Sequence, residues 1–77
     1  MEVKIFNVVN HAAQQLAAYL EDENEANELA AKLNGPEGEK IYGCKLNGQW
    51  IVEEDPGDAP LKKVNGVWMP DFEAAGL

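Results

Sequence analysis

Between residues 22 and 36 the apolar positions fall on a helical period. Ala26, Leu29, Ala30 and Leu33 stand at i, i+3, i+4 and i+7, one stripe of a helix that turns every ~3.6 residues. The same segment carries its own ends. Asp22 suits the N-cap, and Glu25, three residues on, can reach back to its N–H in a capping box. Gly35 accepts the left-handed geometry that closes a helix and Pro36 cannot continue one, so a stop is predicted there.

Upstream, residues 2–9 are short and rich in β-branched and aromatic side chains, which predicts a strand. By alternation Val3, Ile5 and Val9 point one way and Phe6 and Val8 the other. Both faces are apolar, so the strand belongs at the centre of a sheet or under a partner. Residues 11–20 read two ways. Ala13, Leu16, Ala17 and Leu20 fit a helical stripe that Asn10 could cap. However, Leu20 and Ala26 are six positions apart, roughly 240° at ~100° per residue, so one unbroken helix would split its apolar face. A break near Glu21 is required. We favour a return strand over 15–20 feeding directly into the capped helix; the alternative is a helical hairpin.

Beyond Pro36, residues 40–54 place apolar runs on both sides of Asn47-Gly48, which predicts a two-residue hairpin turn with positive φ at both central positions. Pairing outward from it sets Lys45 opposite Trp50, Cys44 opposite Ile51, and Gly43 opposite Val52, the bare glycine leaving room for the indole. The pattern recurs 18 residues later as Lys63-Val64-Asn65-Gly66-Val67-Trp68-Met69, again with lysine across from tryptophan. Residues 53–60 form an acidic turn with prolines, and the tail, 70–77, makes at most one turn of helix around Phe72. The expected class is therefore α+β, a single small domain over 1–77. Its architecture is an antiparallel β-sheet, a meander of four to six strands built from hairpins, with one principal α-helix packed on one face. The other sheet face then needs cover from a second copy or another protein.

Composition narrows the chemistry. The chain has no serine, threonine or arginine. A serine or threonine nucleophile, a P-loop hydroxyl ligand and bidentate arginine clamps are all excluded. Fourteen acids against six lysines give a net charge of -8. That charge repels phosphate backbones and anionic membranes, so neither direct nucleic-acid binding nor membrane binding is expected, while a basic protein surface fits. A lone cysteine, with no apolar leader or long apolar run, points to the cytoplasm. His11 is the sole histidine, and no sequence signal sets it beside Cys44 or a carboxylate. A turn histidine and a small apolar filler are the expected roles, and no enzyme is expected. Glu53, Glu54, Asp55 and Asp58 offer oxygens without the spacing of a calcium loop, so no metal or cofactor is expected.

The candidate binding residues are Glu21, Asp22, Glu25, Glu28, Trp50 and Trp68. Glu21, Glu25 and Glu28, at i, i+4 and i+7, would share one helical side, with Lys32 the only helical partner of Glu28. Such acids serve solubility and the helix dipole, or form a negative patch presented to a basic groove. The tryptophans would stabilise their hairpins through the Lys–Trp pairs, and either indole could also anchor an interface.

The run Leu-Ala-Ala-Tyr-Leu followed by Glu-Asp-Glu-Asn-Glu-Ala-Asn-Glu-Leu-Ala-Ala-Lys-Leu-Asn, within residues 15–34 and about a quarter of the chain, resembles small acidic phage-encoded α+β proteins. These include host-takeover inhibitors and anti-CRISPRs. The resemblance carries over no functional residue. It implies an inhibitor that docks on a basic surface as a polyanion or nucleic-acid mimic, in a host cytoplasm. The expected function is thus a small acidic protein-binding module. The other reading is a self-associating structural or assembly protein, such as a virion component, for which a high-order homo-oligomer is expected; a monomer or homodimer fits the binding module.

Overall fold

The strand with apolar residues on both faces is the middle of a sheet. In the computed structural model, which describes residues 3–57 and 60–74, β1 (Phe6–Asn10) pairs antiparallel with β2 (Gln15–Leu20) on one side and β3 (Ile51–Glu54) on the other. It begins at Phe6 and runs to Asn10, shifted from the expected 2–9. The turn at 11–14 decides between the two readings of the next segment. Asn10 Oδ1 accepts the Ala13 N–H at 3.1 Å, His11 O accepts the Gln14 N–H at 3.2 Å, and Gln14 takes a φ of 56°. Side-chain bonding of this kind offers the backbone an alternative to helix, and residues 15–20 return as a strand. The register skips Ala17, passing from Val8↔Ala18 to Val9↔Leu16, a one-residue bulge in β2.

The helix α1 (Glu23–Asn34) starts at the expected N-cap, with Asp22 accepting the N–H of Asn24 at 2.8 Å and of Glu25 at 3.4 Å. The Glu25 carboxylate does not reach back to the Asp22 N–H, so the expected capping box is only half formed. It lays Ala26, Ala30 and Leu33 on Val8 and Trp50, and this is the core. Phe6, Leu20, Leu29 and Val52 pack around it. Small alanines let the helix axis approach the sheet closely enough for Val8 to lose all solvent contact. The expected end differs in geometry. Gly35 has an extended φ of -97°, not a left-handed one, and Pro36 opens a second helix, α2 (Pro36–Tyr42). Proline fits that first position because its missing N–H would have no partner there. Gly43 closes α2 in the left-handed conformation at φ 73° and makes no room for an indole.

The hairpin expected over 40–54 does not form. Residues 40–42 belong to α2, and β3 pairs with β1 through Val8↔Val52 and Phe6↔Glu54. Gly48 does have φ 80°, but Asn47 is not among the positive-φ residues, so no two-residue mirror turn exists there. Gly48 is needed for a different reason: a Cβ on it would lie 2.5 Å from Ala12 Cβ. Trp50 is drawn into the core, 5% exposed, with Tyr42 stacked on it at 5.6 Å. Asn34 grips its backbone, accepting the Trp50 N–H at 2.6 Å and donating to its carbonyl at 3.0 Å. The expected Lys45–Trp50 pair is therefore absent, and Cys44 is exposed rather than filling a strand.

The second copy of the motif folds as expected. β4 (Leu61–Val64) and β5 (Val67–Pro70) pair antiparallel around Asn65 (φ 52°) and Gly66 (φ 81°). Lys63 lies opposite Trp68, its Nζ 5.8 Å from the ring centroid. The fold is thus α+β, and the described residues form five strands in two antiparallel sheets and two helices. Residues 72–74 form a turn whose Ala74 N–H donates to Asp71 Oδ1 at 3.1 Å, while Asp58 and the end of the expected tail lie outside the described residues.

Candidate functional site

Glu21 stands in the bend between β2 and α1, so it is not part of the helical side it was expected to share with Glu25 and Glu28. Its carboxylate is engaged. Oε1 accepts the Trp68 indole N–H at 2.9 Å and lies 3.4 Å from Lys63 Nζ. This latch ties the β4–β5 hairpin to the end of β2. The indole hydrogen bond is the main cause that holds the Glu21 pKa below its ordinary value; desolvation opposes it, and the Lys63 hydrogen bond and charge add to the lowering.

Between the latched hairpin and β2 lies a groove of about 360 Å³. Leu16, Leu20, Val67 and Met69 give it apolar walls, and Asp22 and Glu25 stand at its acidic end. Leu16 and Val67, on facing walls, are 41% and 58% exposed. Among the described residues Asp22 and Glu25 form no ion pair, since Lys63 is taken by Glu21 and the other pairs are Lys40–Glu37 and His11–Glu53.

Four of the six residues singled out from the sequence meet here: Glu21, Asp22, Glu25 and Trp68. Glu28 lies farther along α1, exposed, and without the expected Lys32 ion pair. Trp50 belongs to the core and is not a free indole. The sequence showed the lysine and tryptophan of β4–β5 as a pair, but nothing in it linked them to a carboxylate 42 and 47 positions away.

His11 does meet a carboxylate, contrary to expectation: its Nε2 lies 3.0 Å from Glu53 Oε1. The pair is open to solvent, and neither His11 nor Cys44 lines the groove. Nor do they line a second one of about 470 Å³ between α2 and the segment before β3. Among the described residues no group of three or more His, Cys, Asp or Glu is placed to hold a metal ion, and no helix is long and apolar enough to cross a membrane. The chain matches no known family model, no characterised protein and no solved structure.

The latch makes the hairpin sensitive to acid. A carboxylate whose folded pKa is lowered contributes stability that is complete above its unfolded pKa and is lost as pH falls through the folded one. The Trp68 indole N–H resonance is therefore expected to titrate with a midpoint below the ordinary carboxylate value, and Glu21→Gln should remove that titration. NMR spectra against pH check this: a Trp68 signal that stays flat, or one that titrates equally in Glu21→Gln, contradicts the latch.

Proposed function

We propose that this protein is a small acidic binding module that docks on a basic surface of a partner protein through the groove between β2, the first turn of α1 and the β4–β5 hairpin. The observation that carries this reading is the convergence of Glu21, Asp22, Glu25 and Trp68 on one apolar-walled groove in a chain of net charge -8. Asp22 and Glu25 supply unpaired charge that raises the on-rate and orients the encounter, and the apolar walls receive an anchor once contact is made. In its most specific form the module is an inhibitor that occupies a site meant for a polyanion, as the resemblance to phage-encoded proteins implies. The reading is one of binding, not catalysis, within a cytoplasm.

A second reading, self-association, is favoured by Leu16 (41% exposed) and Ile51 (40% exposed), which flank the buried Val9 on the sheet face turned away from α1. Native mass separates the two, since a structural component assembles by itself.

The docking reading is tested with an amphipathic Lys/Leu dodecapeptide as the basic probe. The triple variant Asp22→Asn, Glu25→Gln, Glu28→Gln keeps a good N-cap and helix propensity, and it spares Glu21, which the latch needs. Association of the wild type is expected to be at least severalfold faster than that of the variant at low salt. The two should converge as the Debye length falls to ~8 Å. Equal rates at every ionic strength would remove the acidic end of the groove from the function.

A further inference from the structure

The two edges of the main sheet are treated differently. β2 is flanked by the β4–β5 hairpin, whereas β3 ends the sheet, with no strand beyond it among the described residues. The direction of the β3 backbone groups follows from its register. Asp55 N–H donates to Ile5 O at 2.7 Å, and the same register continues through Asn7↔Glu53 and Val9↔Ile51. In an antiparallel pair, alternate residues exchange both hydrogen bonds with the partner strand. Ile51, Glu53 and Asp55 therefore face β1, and Trp50, Val52 and Glu54 turn their N–H and C=O groups outward.

The first of these outward positions is already closed. The Asn34 side-chain amide accepts the Trp50 N–H at 2.6 Å and donates to the Trp50 carbonyl at 3.0 Å, the same donor and acceptor pair that a residue of a neighbouring strand would offer. The next two, Val52 and Glu54, have no such partner among the described residues. An open edge of this kind is a template for a strand from another chain.

We propose that the outer edge of β3 receives an extended segment of a partner protein, added antiparallel, with two basic residues followed by two apolar ones. Cross-strand neighbours share a face, so the basic pair lies opposite Glu54 and Glu53 and the apolar pair opposite Val52 and Ile51. A second copy of this chain does not fit. Centred on Glu53 or on Glu54, two β3 edges set that glutamate directly against its own copy, which is destabilising. Centred on Val52, they set Glu54 against Trp50, whose outward groups Asn34 fills. The edge is on the far side of the sheet from the groove, so this inference stands whether or not the groove binds.

The test uses the capped pentapeptide Lys-Arg-Arg-Val-Ile, which stops short of the position that Asn34 fills at Trp50, with ¹⁵N-labelled protein, reading amide hydrogen exchange. In the free protein Val52 and Glu54 amides are expected to exchange rapidly and Ile51 and Glu53 amides slowly. Saturating peptide should slow Val52 and Glu54 by at least about fivefold and leave Ile51 and Glu53 unchanged. The same peptide N-methylated at the residues opposite Glu54 and Val52 should lose this effect. The double variant Glu53→Lys, Glu54→Lys changes two exposed positions, at the loss of the solvent-open His11–Glu53 contact, and should bind about tenfold more weakly at low salt. The proposal is overturned if Val52 and Glu54 are already protected in the free protein, if the peptide leaves them unprotected, or if the N-methylated peptide or the double variant binds as well as the original.

Discussion

Replacing Trp50 by alanine is expected to abolish the cooperative unfolding transition at 25 °C. The indole is 5% exposed, packs with Val8, Ala26, Ala30 and Leu33, and has Tyr42 stacked on it at 5.6 Å. Truncating a buried tryptophan costs about 3–5 kcal/mol, and the core of a domain this small rarely supplies more than ~3–5 kcal/mol of net stability. The two quantities are equal in size, so little folded protein should remain. Trp68→Ala is the control. It removes the hydrogen bond to Glu21 at the surface and should leave the main sheet and α1 folded, with loss confined to the hairpin. Thermal melts followed by circular dichroism distinguish the two: a Trp50→Ala protein melting within a few degrees of the wild type would mean that the core is elsewhere.

Gly38→Ala is expected to destabilise the protein although alanine is the better helix former. Gly38 lies in the interior of α2, where propensity alone predicts a gain of about 1 kcal/mol. Packing predicts the reverse. A Cβ there would sit 2.0 Å from the Leu33 carbonyl oxygen and 2.8 Å from its carbon, main-chain atoms of α1 that cannot rotate aside. The two helices would have to separate, at a cost of roughly 1–3 kcal/mol for overpacking. At ~4–8 °C per kcal/mol for a domain of this size, the melting temperature should fall by several degrees or more. A rise would show that α1 and α2 do not meet at this corner. The sign alone decides.

Elements whose signals are local were legible in the sequence. The cap at Asp22, the stripe from Ala26 to Leu33 and the Asn65-Gly66 turn each lie within a few residues of what they determine. The limits show best in the repeated motif, where one local code has two outcomes. At Asn65-Gly66 nothing competes, and Trp68 stays at the surface beside Lys63. At Asn47-Gly48 the following strand finds β1, and burial of Trp50 beneath α1 outweighs the short-range turn. α2 was hidden because Gly-Pro read as a stop. The signal for it was present, since Pro36 can open a helix, with Glu37 and Glu39 in its first turn and Lys40 near its end. At the site, residue types were legible and placement was not. The helical period was extended back past the N-cap to Glu21, which instead reaches across to Trp68.

The groove as a binding surface is tested most directly by a ¹H–¹⁵N titration with the Lys/Leu dodecapeptide at low salt. Saturating shifts of one stoichiometry are expected at the amides of Leu16, Leu20, Asp22, Glu25 and Val67 and at the Trp68 indole, with the Trp50 indole unmoved. Shifts spread equally over the remote acids Glu37 and Glu39, with Trp68 unchanged, would mean that the peptide adsorbs to net charge and that the groove is not the site.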